Sequence, residues 1–554
     1  MGKKKDISKQ IKAFQLQAQD IMNETAVPID DRRQRTAEIY RQAEALAEES
    51  SLDENTYESL LTDSAKFFLD YGMYKESLPR YTHLVTMRES LFGEVHSVTA
   101  TAYHDLGEVY RNLCDYPKAF EYIKRSLDIR EKVLGRNHLE TAESYNDTGI
   151  IYIFQGCYDK ASELILKAKT IREEVVGENH PDVAESYVSL GLLGLKCEDG
   201  ATGLDNYSKA LIIYKNTLGS EHRKTAIAYY GVGYSYYLFG NYSEALEYCS
   251  KALSIHEKEL GLKHPETAVV YGGLGYIHEN IGGVSKALDY VKRSLDINEE
   301  MLGDENLNTA ASFCALGWVK YKMEDHKGAL ECFEKGLNIT EKLLGLEHPD
   351  TAEAYNNMGF MYYLTDDNIK AYEYFVNAHQ FYEKCPKSEY IERKIQEVES
   401  NMALIEVKGT RDLLLETLTK IGCQYEIDED NEINFAYQGE YFIVRASNDN
   451  QYIQIYDMRW LHVELYDIDE IARLKKAINE SNIKNSVVTV YTINESGNTV
   501  DVHCKSVIYF DSVIPDVIDY LRLELAEYFN VHQMILLEMA KLRDQEQANE
   551  TIGN

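Results

Sequence analysis

Leu344 to Gly359 reads LGLEHPDTAEAYNNMG, and Leu260 to Gly275 reads LGLKHPETAVVYGGLG. The two stretches share Gly, His, Pro, Thr, Ala, Tyr and Gly at the same offsets. Following the first glycine through the chain gives Gly93, Gly135, Gly177, Gly219, Gly261, Gly303 and Gly345, a spacing of 42 residues every time. The last glycine recurs in phase as Gly107, Gly149, Gly191, Gly233, Gly275, Gly317 and Gly359. Seven units with no insertion or deletion between them define a solenoid, in which each unit buries its apolar face against its neighbours.

Within a unit, Tyr103, Leu106, Gly107 and Tyr110 fall at i, i+3, i+4 and i+7, so they share one face of a first helix. Ala119, Ile123 and Ser126 do the same on a second. Helix-breaking residues separate the two, as in FQGCY, LFGNY and LTDDN, so each unit is expected to be a helical hairpin. Glycine inside a helix costs about 1 kcal/mol relative to alanine. The in-phase glycines therefore call for close approach of the paired helix, and the small residues expected to face them are Ala119, Ala161, Gly203, Ala245, Ala287, Ala329 and Ala371.

The order seen as Tyr355, Met358, Gly359, Tyr362, Ala371, Phe375 and Ala378 resembles the tetratricopeptide repeat. The usual unit is shorter, and the additional residues amount to about two helical turns, most simply one in each helix. With the LGxxHPxTA junction, the array is similar to the long units of kinesin light chains. The resemblance covers about Ser51 to Lys384, with Asn55 to Phe92 as a degraded first unit lacking the junction. It implies a superhelical α-solenoid that binds other proteins. Kinesin-light-chain-like units commonly carry paired asparagines just before the Leu of the first helix. Only Asn356 and Asn357 keep the pair here, whereas Tyr230-Gly231, Gly272-Gly273 and Cys314-Ala315 depart from it. The basic residues that could grip an acidic motif reduce to Lys196 and Lys322.

Amphipathic stretches at Ile7 to Glu24 and Asp30 to Glu49 precede the array, and Ser388 to Val407 follows it with Ile391, Ile395, Val398, Met402 and Ile405 at helical spacing. Both ends read as caps for an open stack. Past Lys408 the period changes. A helix pattern at Thr410 to Ile421 leads into QYEID, EINFAYQG, EYFIVRAS and YIQIYDMRWLHVEL, then a helix at Asp467 to Ser481, SVVTVYTI and TVDVHCKSVIYF, and a long last helix from near Pro515. Helix, four strands, helix, two strands, helix predicts an antiparallel sheet backed by helices. This order, with FAYQGEYFIV at Phe435 to Val444, resembles the bacterial YbjN-like domain and the related type III secretion chaperone fold. That resemblance implies protein binding or regulation. The expected fold class is thus mainly α, an α-solenoid with a smaller C-terminal α+β domain. Its parts are capping helices at 1–50, the array at 51–387, a capping or linker helix at 388–407, the α+β domain at 408–545 and a flexible tail at 546–554.

Acidic residues outnumber basic ones 92 to 58, a formal net charge of -34, which argues against nucleic acid or anionic membrane as the main partner. Nine scattered cysteines without a CxxC pair fit reduced thiols in a cytoplasmic protein. No stretch reaches ~18 uninterrupted apolar residues, and the charged amino terminus lacks a signal-peptide core. A phosphate loop, GxSxG and HExxH are all missing, so no enzyme, cofactor or metal is expected. DEDNE at Asp428 to Glu432 has Ile433 where a calcium loop needs glycine, and reads as a hairpin tip. His462, His503 and Cys504 show no ligand spacing.

His96, His138, His180, His222, His264 and His348 occupy one junction position, with Asn306 in their place once. Helices pack ~8 to 10 Å apart, too far for imidazoles of successive units to share one zinc. The position therefore predicts a turn that helps cap a helix.

One residue after the core aromatic, and then four and seven further on, a second stripe runs along each first helix. Its first three units give His104, Glu108, Arg111, then Asn146, Ile150, Ile153, then Val188, Leu192, Leu195. In the last four, eight of twelve positions are aromatic: Tyr230, Tyr234, Tyr237, Tyr276, Trp318, Tyr321, Phe360 and Tyr363. Rigid rings with polar tips suit recognition. They predict a peptide or protein segment along this wall, with Asn280, Asn356 and Asn357 bonding its backbone; the competing expectation is inner-wall packing of a tightly wound superhelix. The protein is expected to be a non-catalytic interaction scaffold, or alternatively a peptide-switched regulator, with self-association through the C-terminal domain a further expectation.

Overall fold

The computed structural model describes residues 2–552 except 51, 406–408, 449, 458–459, 495, 497, 511–513 and 515. The expected boundary at residues 407 and 408 lies outside the described residues, as do 553 and 554. The chain divides into two compact units, Met1–Asp366 with Tyr374–Met402, and Ala403–Asn554 with Asp367–Glu373.

The first unit opens with α1 (Gly2–Met22) and α2 (Ile29–Glu48), at the stretches expected to cap the stack. Hairpins follow: α3 (Glu54–Asp70) with α4 (Tyr74–Phe92), α5 (Ser97–Asn112) with α6 (Tyr116–Val133), and α7 (Leu139–Phe154) with α8 (Tyr158–Val176). Next come α9 (Pro181–Lys196) with α10 (Gly200–Thr217), α11 (Arg223–Leu238) with α12 (Tyr242–Glu259), and α13 (Pro265–Asn280) with α14 (Val284–Met301). The last hairpins are α15 (Leu307–Lys322) with α16 (His326–Leu344) and α17 (Pro349–Leu364) with α18 (Asn368–Lys384), after which α19 (Glu389–Ala403) lies at the expected second cap.

Each junction residue caps the helix that follows it. The backbone N–H two residues on donates to Nδ1 of His96 (3.2 Å), His138 (3.3 Å), His180 (3.2 Å), His222 (3.0 Å), His264 (3.1 Å) and His348 (3.1 Å), and to Oδ1 of Asn306 at 2.9 Å. A ring nitrogen or amide oxygen thus satisfies a donor that the first turn of a helix leaves unpaired. The degraded first unit uses Asp53 for the same purpose, accepting from the Thr56 N–H at 3.0 Å.

The helical glycines do mark close approach, and expected small residues lie against them through their backbone, the Ala161 carbonyl 3.1 Å from a Cβ at Gly149 and the Ala245 carbonyl 3.2 Å from one at Gly233, while the tightest contact falls on a further side chain. A Cβ at Gly275 would lie 2.4 Å from Val291 Cγ2, at Gly107 2.7 Å from Ile123 Cγ1, and at Gly149 2.6 Å from Ile165 Cγ1. The glycine therefore accommodates the residue four beyond each expected alanine. Ala119, Ala161 and Ala287 are nonetheless fully buried in the same hairpin cores.

The second unit contains α20 (Thr410–Lys420), β1 (Tyr425–Ile427), β2 (Ile433–Tyr437), β3 (Glu440–Arg445), β4 (Tyr452–Asp457), β5 (Leu461–Glu464), α21 (Ile468–Lys484), β6 (Val488–Asn494), β7 (Thr499–Tyr509) and α22 (Val517–Ile552). Where one fourth strand was expected, YIQIYDMRWLHVEL forms two, and both lie along β7: Tyr452 to Tyr456 pair with Tyr509 to Lys505, and Leu461 to Glu464 with Val502 to Thr499. The sheet is antiparallel in the order β1-β2-β3-β4-β7-β5, with β6 also on β7. Alternate residues such as Phe442, Val444, Ile455, Val502 and Ile508 pack under Leu418, Leu474, Leu525 and Tyr528 of the three helices. DEDNE forms the β1–β2 hairpin tip, where the Asp428 carboxylate accepts from the backbone N–H groups of Asp430 and Glu432. Residues 546–552, expected as a flexible tail, instead continue α22.

Candidate functional site

The first helices of the last four hairpins bring the predicted rings together. Tyr230, Tyr234 and Tyr237 run down α11 with ring centroids 5.9 and 5.3 Å apart, and Tyr237 reaches Tyr276 of α13 at 6.4 Å. Trp318 and Tyr321 of α15 lie 6.5 Å apart, Trp318 meets Phe360 of α17 at 6.3 Å, and Phe360 meets Tyr363 at 6.2 Å. Two aromatic ribbons result, and all eight rings are half-buried. Burial pushes the Tyr237 phenol up to about 12, helped by Glu279, and holds those of Tyr230 and Tyr276 well above the usual value. The phenols therefore stay protonated and can donate or accept hydrogen bonds.

Three asparagines were expected to bond a partner's backbone. Asn280 is exposed at the rim, where its amide donates to Tyr237 Oη (3.4 Å) and the Tyr276 carbonyl (3.0 Å). Asn356 is buried and its Oδ1 accepts from Asn401 of the capping helix α19 at 3.0 Å. Asn357 is half-buried beside it. Lys196 and Lys322 are both engaged, Lys196 with Asp350 at 3.0 Å and Lys322 with Glu279 at 3.6 Å.

The stripe at α5 is chemically different. His104 Nε2 lies 2.6 Å from Asp147 of the next unit, and Arg111 bridges Glu108 at 3.2 Å. Burial alone would lower the His104 pKa, but hydrogen bonds to Asp105 and Asp147 outweigh it, and the imidazole titrates well above its usual range. The same stripe is thus an ion-paired wall at one end of the array and an aromatic one at the other.

A feature invisible in the unit sequence joins distant units. His264 Nε2 lies 3.2 Å from the Asp70 carbonyl, Asn306 Nδ2 donates to the Asn112 carbonyl at 3.4 Å, and His348 Nε2 lies 2.8 Å from the Phe154 carbonyl. All three pairs are 194 residues apart, between four and five units. The array therefore winds so tightly that its second superhelical turn rests on its first along a seam. Lys196–Asp350 belongs to the seam, as does Lys394, which is almost wholly buried with Glu198 at 2.9 Å and Glu353 at 3.0 Å. At the start of the array, Arg33 of α2 donates to the Leu260 carbonyl at 3.2 Å, and Asp30 accepts from the Leu262 N–H at 2.9 Å. The clue in the sequence was a pairing of His-Pro with a hairpin-turn glycine, the proline 193 residues after it, Pro265 with Gly72 and Pro349 with Gly156. Nothing local flags such a pairing.

In the C-terminal domain, Asp457, Cys504 and His532 meet in the core, the group of described residues whose ligand atoms come close enough to share a metal ion. Both Asp457 oxygens are engaged, one by His532 Nε2 at 2.5 Å and one by the Cys504 backbone N–H. Trp460 stacks on the imidazole at 4.0 Å. The trio thus ties α22 to β4 and β7, a role that strand patterns around Cys504 alone could not reveal. The sheet face away from the helices is open, with Tyr441, Tyr452 and Val507 each more than half exposed. No helix among the described residues is long and apolar enough to cross a membrane.

No curated protein matches this sequence. Among solved structures, a putative kinesin light chain of Podosopora anserina with nearly identical TPR-like repeats is 21% identical, covering 37% of this chain and 97% of that one at a TM-score of 0.30. A Rap protein complexed with competence and sporulation factor is 14% identical over 72% of this chain and 100% of that one, at 0.46. Aspartyl phosphate phosphatase F of Bacillus subtilis is 14% identical over 68% and 93%, at 0.40. Tetratricopeptide repeat profiles match residues 56–132, 98–156, 195–248, 229–300, 285–342 and 319–384, and a second such profile matches 141–182. Over half its length, then, this chain belongs to the tetratricopeptide repeat family.

Proposed function

We propose that the protein is a non-catalytic interaction scaffold that holds a peptide or extended protein segment along the aromatic wall of α11, α13, α15 and α17. The observation that carries this reading is the contact of the rings across neighbouring helices, which leaves them half-buried and partly accessible. Aromatic side chains lose little conformational entropy on binding and combine a flat apolar face with a hydrogen-bonding tip. Asn280 at the rim supports backbone recognition, whereas the Asn356 amide is already committed to Asn401. The C-terminal domain is read as a second binding or regulatory module. Its open sheet face and the likeness of FAYQGEYFIV to YbjN-like and secretion-chaperone domains support that part.

The test replaces Tyr237, Trp318 and Tyr363 together by alanine and compares proteins co-purifying with variant and wild type. Specific partners should be lost while far-ultraviolet circular dichroism keeps its helical signal. Undiminished capture by the triple variant would overturn the reading. A second reading, a peptide-switched regulator, is favoured by the seam, because an array resting on itself has a second arrangement available to it.

A further inference from the structure

We propose that the seam is a clasp: the superhelix exists closed, with its second turn on its first, and opened, and the aromatic wall takes its partner in the opened state. The inference rests on the reading of the wall as the partner site, and extends it to how the site is controlled.

The residues that make the seam also begin the helices that carry the wall. His264 caps α13, which bears Tyr276; Asn306 caps α15, which bears Trp318 and Tyr321; His348 caps α17, which bears Phe360 and Tyr363. Each divides its two polar atoms, one on the helix it starts and one on the turn beneath. A shift across the seam is therefore a shift of three wall helices at their first residue.

The seam is also separable. The hairpins keep their own apolar clusters, such as Val291 with Phe313 and Leu316, and Phe333 with Met358 and Met361. The seam combines hydrogen bonds, ion pairs and prolines laid over glycines with a few apolar contacts, Leu302 against the cluster of Leu106 and Val109, Leu307 and Leu344 beside Tyr116, and Tyr158 edge-on to Tyr390 at 5.4 Å. An interface of mixed polar and apolar contact between units that hold clusters of their own can part while those units stay folded. In the closed state the rings lie half-buried against one another; on this proposal, opening spreads the wall helices at their starts and so adds accessible ring surface. A partner that binds this surface shifts the equilibrium by its difference in affinity for the two states.

The fit of proline on glycine supplies a controlled test. A Cβ at Gly72 would lie 2.4 Å from Pro265 Cδ, and at Gly156 2.6 Å from Pro349 Cδ. Gly240 and Gly282 occupy the same hairpin-turn position, with φ of 73° and 79° against 74° and 70°, and have nothing within 4 Å of such a Cβ. Alanine strains the turn equally in both pairs, and only at Gly72 and Gly156 does it also wedge the seam.

The experiment uses the full chain with Trp460→Phe, leaving Trp318 as the sole tryptophan. Small-angle scattering gives the radius of gyration, and acrylamide quenching reports access to Trp318. Gly72→Ala/Gly156→Ala should raise both relative to Gly240→Ala/Gly282→Ala, with helical content equal. Asn306→Asp is a milder second variant, for the carboxylate still caps α15 but cannot donate to the Asn112 carbonyl. Losing that one bond should lower hydrogen-exchange protection at the start of α15 by about fivefold. Equal radii in the two glycine pairs, with α15 protection unchanged in Asn306→Asp, would overturn the clasp. A larger radius with unchanged Trp318 quenching would overturn its link to the wall. Neither result depends on a partner, so failure here is distinct from failure of the wall as a binding site, which the triple alanine variant decides.

Discussion

The junctions of the first superhelical turn and those of the second carry nearly the same words and differ in what they hold. His96, His138, His180 and His222 cap their helices through Nδ1, and among the described residues the other ring nitrogen makes no hydrogen bond to a distant unit. His264, Asn306 and His348 make the same cap and also reach a carbonyl 194 residues away. The cause is position alone. Only the later three have a unit of the array lying that distance before them. A repeat thus writes one local instruction into every copy, and the winding of the stack decides which copies acquire a second role.

Acid should separate the two sets most sharply. Burial, reinforced by Arg223 and Arg33 and opposed by Glu266, depresses the His264 pKa to about 4. Its Nδ1 must stay unprotonated to accept from Glu266 N–H, while its other nitrogen faces the Asp70 carbonyl. Because the folded pKa lies below the unfolded value of 6.5, the unfolded chain binds more protons between the two. The contribution of His264 is therefore present above pH 6.5 and lost as pH falls toward 4, amounting to a few kcal/mol. Hydrogen exchange at the start of α13, followed from pH 7 to pH 4, should show protection collapsing. In His264→Asn, which copies what Asn306 does naturally, that collapse should be much reduced. Acid lability equal to wild type in this variant would show that another group controls the seam.

Substitution by alanine is the next largest effect. His138→Ala removes a cap, worth about 1 kcal/mol. His348→Ala removes a cap and a seam bond, about 2 kcal/mol together. Exchange of the Phe154-end amides of α7 should respond to His348→Ala, 194 residues away, and not to His180→Ala. If both leave that end unchanged, the seam carries no stability.

The hairpin array was legible because its information is local. A period of 42 residues, Gly107 and its equivalents, and the junction histidine each predict a nearby contact, and each contact is present. The aromatic wall was legible for the same reason, since residues at helical spacing must share a face whatever the tertiary winding. The side chain that lies tightest on Gly107, Gly149 and Gly275, one helical turn beyond the expected alanine, was not legible, because the offset between two packed helices depends on side-chain volumes, as at Val291 and Ile123. The seam and the Asp457–His532 pair join residues 194 and 75 apart, and no periodicity encodes such distances. The division of YIQIYDMRWLHVEL into β4 and β5 was hidden similarly, because both halves are strand-like and only the course of β7 shows where the chain steps between them.

The smallest effect tests whether identical words can do nothing in one copy. Thr99, Thr141, Thr225, Thr267 and Thr309 each donate through Oγ1 to the carbonyl of their junction glycine at 2.7 to 2.9 Å. Thr351 stands at the equivalent position in the last unit, yet its buried hydroxyl has no hydrogen-bond partner. Valine already occupies the position in one unit, as Val183. Thr309→Val should cost about 1 kcal/mol through the lost bond and the carbonyl left without it. Thr351→Val replaces an unsatisfied buried hydroxyl by a methyl of the same shape, so it should be neutral or stabilising by a few tenths of a kcal/mol. Thermal unfolding of the two variants side by side decides it. Equal losses would mean that Thr351 makes the bond its sequence shares with the other five, and that the last unit departs from them less than its geometry shows.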